Sequence, residues 1–286
     1  MSKLKIYIAL VMLLLIIPLT ARAEAGAEMK DDTTAIPLKV MTLNIHSGIN
    51  WYGSFDPDGL TSLIREIDPD IVGLQEVDRN WSSKSGFRDL PAELAQRLNM
   101  FYAFSASLER NNGYFGNLIL SKYPIIQVWT SPLPGSLEPR SFALVQVLVK
   151  GVRVNFLTTH LGLSVSDRLQ QAAKIIEFTN LLSGPLIVTG DFNGDVGDPA
   201  VAGLERNFLN FQGIGEIKDQ GTFRSKDGIV SSKMDYILVT PEFGLTKIEV
   251  ADTFVSDHLP VIAELTLEVE RTAIAGNTIV IQPGYF

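Results

Sequence analysis

Six apolar stretches of this chain end in polar side chains that a strand does not need. They are Asn44 and His46 in "TLNIH", Gln75 and Glu76 in "GLQEV", His160 in "TTHLG", Asp191 and Asn193 in "TGDFNGD", Asp235 in "KMDYILV", and Asp257 and His258 in "SDHLP". The inventory is carboxylates, carboxamides and imidazoles, and the chain contains no cysteine. Such donors suit a hard divalent cation, magnesium before manganese or calcium, rather than a structural zinc. Imidazoles beside carboxylates also supply acid-base chemistry near neutral pH. Together these are the needs of phosphoester hydrolysis: a cation at Glu76 against the phosphoryl charge, a base for water, and neutral donors that hold the phosphate in line. Taken singly, each residue has a plainer reading. Asp191 and Asn193 are common turn residues, because such side chains bond the backbone two residues on. Glu76 alone reads as a solvated strand end, and His160 alone as a satisfied core imidazole. The inference rests on the set.

To converge, these residues need a rigid frame, and in α/β folds ligands bind where strands end and loops begin. The segment "LKVMTLNI" (38–45) reads as a first strand. Leu60, Leu63, Ile64 and Ile67 recur at helical spacing, with Asp58 placed as an N-cap. A buried strand follows at 71–75, then a short helix at 91–98 and strands at 101–107, 117–121, 141–149 and 152–158, the last two joined by a hairpin turn at Gly151. A longer helix is predicted over 167–182, and strands over 185–190, 234–239 and 260–267. Sheets with helices on their outer faces are the expected outcome.

In this order the motifs resemble the endonuclease/exonuclease/phosphatase superfamily, the group of pancreatic-type deoxyribonuclease, exonuclease III, neutral sphingomyelinases and inositol polyphosphate phosphatases. The resemblance runs from about Leu38 to Leu267. It implies a four-layer α/β sandwich, two mixed β-sheets face to face and flanked by helices. It also implies roles: Glu76 as metal ligand with Asn44 beside it, Asp257 near the metal, His160 and Asn193 on the phosphate, and Asp191 orienting the nucleophile. His258 is implied as base or phosphate-polarising imidazole, with Asp235 holding it; either Asp191 or His258 serves as the formal base. His46 stands where members differ, so substrate contact and packing both remain open for it. "GNLILSKYPI" (116–125), "EPR" (138–140) and "THLGLS" look most like a bacterial exported group similar to the GPI-anchor lipid remodelling domain.

The 286 residues divide into a signal peptide (1–23), a spacer (24–36), one catalytic domain (37–268) and a tail (269–286). Lys3 and Lys5 precede an apolar run, and "ARA" at 21–23 offers a peptidase site, so export to the periplasm, the cell surface or the medium is expected, with an uncleaved anchor as the alternative. Loss of residues 1–23 leaves 21 basic against 32 acidic residues, a net charge of −11. That charge opposes a nucleic-acid substrate, which needs a basic groove. Trp51, Tyr52 and Phe55 in "NWYGSF" offer rings for a membrane surface, or for closing a loop over the core. No obligate protein partner is expected. The expected activity is a metal-dependent phosphoesterase, diester or monoester, on a phospholipid headgroup or nucleic acid. The alternative is a binding protein on the same fold.

Overall fold

The computed structural model describes residues 33–213 and 217–270. Segment 1–23, most of the spacer and residues 271–286 lie outside the described residues. The elements run β1 (Thr33–Asn44), α1 (Pro57–Ile67), β2 (Ile71–Arg79), α2 (Leu90–Leu98), β3 (Phe101–Arg110), β4 (Gly113–Ser121), β5 (Ile125–Leu133), β6 (Arg140–Val149) and β7 (Val152–His160). Then come α3 (Val165–Thr179), β8 (Leu186–Asp191), α4 (Pro199–Glu205), β9 (Leu209–Asn210), β10 (Phe223–Arg224), β11 (Val230–Ser232), β12 (Asp235–Val239), β13 (Phe243–Val250) and β14 (Val261–Glu270).

Two six-stranded sheets form, one ordered β13-β14-β1-β2-β4-β3 and the other β5-β6-β7-β8-β12-β9. Each is mixed, because the pairs β1/β2 and β7/β8 are parallel and joined through α1 and α3, while the other pairings are antiparallel. The central strands are apolar on both faces, as strands buried on both sides must be. Val40, Ile71, Val145, Ile187 and Ile237 point into the space between the sheets. Their neighbours Met41 and Val72 point outward under Leu60 and Ile64 of α1 and Leu94 of α2. Leu144, Val188 and Leu238 point outward under Ile175 of α3 and Leu204 of α4. The result is the four-layer α/β sandwich that the motifs imply.

Towards one edge the filling between the sheets turns polar. Gln75, fully buried, donates from Nε2 to Thr42 Oγ1 (3.1 Å) and to Thr158 Oγ1 (2.8 Å), tying one sheet to the other. Gln75 is therefore a brace between sheets rather than part of a site. The sheets approach closely there: a Cβ on Gly73 would lie 2.6 Å from the hydroxyls of both Thr158 and Thr189.

Several boundaries differ from the pattern. β1 begins at Thr33 and takes in residues assigned above to the spacer, because Ala35 and Ile36 pair with Glu268 and Leu267 and Ile36 is buried. The N-cap of α1 is Asp56, not Asp58: Asp56 Oδ1 accepts the Gly59 N–H at 2.8 Å, and Pro57 opens the helix without a donor to satisfy. Among the described residues no helix is long and apolar enough to cross a membrane.

Candidate active site

The register of the strands brings the chemistry to one edge. Asn44 ends β1 directly beside Gln75 of β2, and His160, Asp191 and Asp235 stand in one row across β7, β8 and β12. Glu76 reaches this edge through a bulge: the pairing of β2 with β4 slips between Leu74 and Val77, and Glu76 takes a positive φ of 56°. Bulges re-aim side chains in this way. Gly190 precedes Asp191 at φ 146°, where a Cβ would lie 2.0 Å from the Thr159 carbonyl oxygen, so the β7/β8 contact requires glycine.

Asn44 is the joint between the two sheets. Its Nδ2 donates to Glu76 Oε1 (2.9 Å) and to Asp191 Oδ2 (3.0 Å), while its Oδ1 accepts the His46 N–H (3.0 Å). The amide nitrogen, not the oxygen, faces the carboxylates, so Asn44 orients the acids instead of presenting a ligand oxygen. Burial lifts the Glu76 carboxyl above its ordinary range, and the Asp191 charge adds to the lift against the Asn44 hydrogen bond. For Asp191, burial works upward as well, but the imidazoles of His160 and His258 and the donors Asn44 and Asn193 N–H outweigh it and hold the carboxyl low.

His160 and His258 have opposite states. His160 is buried, with Nδ1 3.0 Å from Arg140 Nη1 and Nε2 3.3 Å from Asp191 Oδ2; Asn193 Nδ2 lies 2.8 Å from the same Nε2. Arg140 can only donate, so Nδ1 carries the lone pair and the Nε2 proton is directed at Asp191 Oδ2, while the Asn193 amide, a donor itself, bonds the Leu161 carbonyl and not Nε2. Burial, with the positive Arg140 and His258, pushes the His160 pKa down to about 3, and the ring is neutral. His258 donates from Nδ1 to Asp235 Oδ2 (2.8 Å) and turns Nε2 towards Asp191 Oδ2 (3.7 Å). Burial alone would lower its pKa, but Asp235 and Asp191 outweigh burial and raise it, keeping an imidazolium at neutral pH; burial raises Asp235 in turn. Phe223 packs against the His258 ring, with centroids 5.1 Å apart.

Asp257 and His46 lie at the open side. Asp257 Oδ1 is 3.6 Å from His46 Nδ1 and accepts from Ser256 Oγ at 3.2 Å, and Ser256 Oγ also bonds the Asn44 carbonyl, at 2.7 Å. The structure thus gathers Asn44, His46, Glu76, His160, Asp191, Asn193, Asp235, Asp257 and His258 at one edge. The aromatic trio does not act together: Phe55 packs into the core beneath Arg88, Trp51 lies against Arg224, and Tyr52 is exposed and stacked on Phe254. Arg140 joins the site although "EPR" alone assigns it no role; the signal for it is an arginine at the first position of an otherwise apolar strand.

The donor set fits a divalent cation. One ligand atom each from Asp191, Asp235 and His258 lies within 4.8 Å of the others. Beside them, half-buried Glu76 shares the single amide donor of Asn44 with Asp191. Oxygen-rich donors around uncompensated negative charge suit a hard ion.

The family model described as the Endonuclease/Exonuclease/phosphatase family matches residues 41–258. The chain is 29% identical over 181 residues to YbhP of Escherichia coli K12, itself an uncharacterized protein, covering 58% of this chain and 70% of that one. The crystal structure of an endonuclease/exonuclease/phosphatase from Beutenbergia cavernae is similar at a TM-score of 0.69 and 25% identity, over 81% of this chain and 72% of that one. A mannosyl-6-phosphatase of Bacteroides thetaiotaomicron shares the fold at a TM-score of 0.62 and 19% identity, over 80% and 99% of the two chains.

Proposed function

The chain belongs to the endonuclease/exonuclease/phosphatase family, hydrolases of phosphoester bonds, and from that membership we propose an exported, divalent-cation-dependent phosphoesterase that attacks its substrate with water. One observation carries the reading. Asp191 Oδ2 lies 3.0 Å from Asn44 Nδ2, 3.3 Å from His160 Nε2 and 3.7 Å from His258 Nε2, so a carboxylate, a neutral donor and an imidazolium face one small space.

Their charge states divide the work. Asp191 stays ionised and is the proton acceptor for the attacking water. His258, already protonated and held by Asp235, cannot accept a proton; it stands as the positive group against the phosphoryl oxygens. His160 Nε2–H and the Asn193 amide add neutral donors that hold the phosphate in line. Glu76 and Asp191, bridged by Asn44, would hold the cation, because Asp235 and His258 Nδ1 already satisfy each other. When bound, the ion neutralises phosphoryl charge and stabilises the leaving oxygen; magnesium is the ion we propose from the oxygen-rich donors.

The Bacteroides protein of the same fold is a mannosyl-6-phosphatase, which supports phosphoester hydrolysis as the chemistry and leaves the ester class to the loops. Export is read from Lys3 and Lys5 ahead of the apolar run. Hydrolysis of bis-p-nitrophenyl phosphate with magnesium, manganese or EDTA tests the reading. We expect metal-dependent release that falls by about 100-fold or more in His258→Ala and Asp191→Ala. Folded variants with full turnover would remove these residues from the chemistry.

A further inference from the structure

The turn that follows Asn44 is held in an uncommon conformation. His46, Ser47 and Gly48 take positive φ in succession, at 47°, 59° and 77°. Glycine adopts that region freely, but histidine and serine do not, and such residues persist only where their surroundings hold them. Backbone bonds close the turn, from the Gly48 N–H to the Ile45 carbonyl (2.7 Å) and from the Ile49 N–H to the His46 carbonyl (3.0 Å). Its side-chain anchor is Ser47, which is buried and donates from Oγ to Asp78 Oδ1 at 2.9 Å.

Asp78 lies on β2 two residues past Glu76 and is fully buried. Ser82 Oγ and Ser85 Oγ, each at 2.6 Å, donate to its Oδ2. Among the described residues its side-chain hydrogen bonds thus come from hydroxyls and from no cation. A buried charge is costly unless hydrogen bonds satisfy it, and packing alone would be served better by an apolar side chain. What the hydroxyls form is a junction. One carboxylate joins the turn 46–48, strand β2 and the loop 80–88, which is itself closed by the Asn80 N–H on the Arg88 carbonyl at 2.9 Å.

The junction bears on the site through Asn44. The His46 N–H, aimed by the turn, is the donor that Asn44 Oδ1 accepts at 3.0 Å. With Oδ1 so engaged, Nδ2 faces the other way, and this nitrogen is the one that Glu76 Oε1 and Asp191 Oδ2 share, at 2.9 and 3.0 Å. A relaxed turn would take away the donor that orients the amide. We infer that Asp78 is a positioning residue for the phosphoester site, acting through Ser47 and the His46 N–H on the Asn44 amide, and so on the placement of Glu76 and Asp191. Its effect on rate rests on the proposed phosphoesterase reading; its effect on the Asn44 amide does not.

The test compares Ser47→Gly, Asp78→Asn, their double variant and Ser85→Ala with the unsubstituted protein. Ser47→Gly removes one hydroxyl and places at φ 59° the residue that tolerates it best, so the turn remains able to form. Ser85→Ala removes another hydroxyl from the same carboxylate, away from Asn44. The readouts are kcat and KM on bis-p-nitrophenyl phosphate in magnesium, the melting temperature, and hydrogen exchange of the Asn44 side-chain amide in EDTA by nitrogen-15 NMR. Ser47→Gly is expected to lower kcat about tenfold with KM little changed, and to speed exchange of the Asn44 amide roughly tenfold. The double variant is expected to match Asp78→Asn in kcat, because both act along one route. Ser85→Ala is expected to melt lower and keep its kcat. If Asp78→Asn fails to fold, Ser47→Gly and Ser85→Ala decide alone. Full kcat or an unchanged Asn44 amide in Ser47→Gly overturns the inference, as do additive losses in the double variant. An equal loss of kcat in Ser85→Ala overturns it too, since the cluster would then act by general stiffness. An unsubstituted protein with no phosphoesterase activity would sink the proposed function, and exchange of the Asn44 amide would still decide the role of Asp78.

Discussion

Arg140 has only donors to offer, and that fixes what its neighbour can do. With Nδ1 of His160 turned to Arg140 at 3.0 Å, the single proton of the neutral ring sits on Nε2, the atom near Asp191 and Asn193. Glu138 Oε1 pairs with the same Nη1 at 3.0 Å and keeps the guanidinium beside the ring. Arg140 is thus a positioning residue for a phosphate donor. Arg140→Met is expected to release the tautomer and lower turnover on the order of 100-fold, with a smaller change in KM. The chain has only three histidines, so nitrogen-15 shifts of the imidazoles read the tautomer directly. An Nε2–H signal for His160 unchanged in the variant would refute the assignment, whatever the rate. The sequence announced the polar side chains but not their states. A lone His160 reads as a satisfied core imidazole; burial makes the ring neutral, and the arginine opposite, twenty residues earlier in the chain, adds to that and fixes the tautomer.

At the scale of elements, α3 and α4 are fastened by one buried ion pair, Arg168 with Asp198, and Asp198 also caps α4 by accepting the Ala200 N–H at 2.9 Å. Burial would raise the Asp198 carboxyl, but Arg168 and the capping N–H outweigh it and hold it below the ordinary value. A depressed carboxyl contributes stability above its unfolded pKa, about 4, and loses it as pH falls through the lower folded value. Asp198→Asn keeps a good cap and removes the charge. Urea unfolding is therefore expected to show a cost of about 3 kcal/mol at pH 7 that shrinks steadily below pH 4; a cost independent of pH would mean that the pair contributes nothing beyond packing. Strands buried on both faces read as apolar runs and were legible, as were α1 to α3 by their spacing. The edge strands β5 and β13 were not, because an edge strand has one open side and tolerates Pro132 in β5 and Thr246 and Lys247 in β13. The seven-residue α4 is too short to show a period.

For the molecule as a whole, the site is also where the two sheets are joined. Glu76 belongs to β2 of one sheet and Asp191 to β8 of the other, and a cation shared between them would span the sandwich as Asn44 and Gln75 do. Binding only to the folded form stabilises it by mass action, by about 2.7 kcal/mol when the free ion stands at 100 times its Kd. Without the ion, Glu76 is a half-buried carboxyl lifted above its ordinary range by desolvation beside a second carboxylate, so it lowers stability. The two terms predict opposite signs for one substitution. Glu76→Gln is expected to melt at or above the temperature of the unsubstituted protein in EDTA, and to lose most of the increment that magnesium gives that protein. An acidic chain collects divalent ions loosely over its surface, so the comparison is made at constant ionic strength. A Glu76→Gln protein that melts lower in EDTA yet gains the full magnesium increment would place the cation elsewhere and leave Glu76 a structural residue of the bulge.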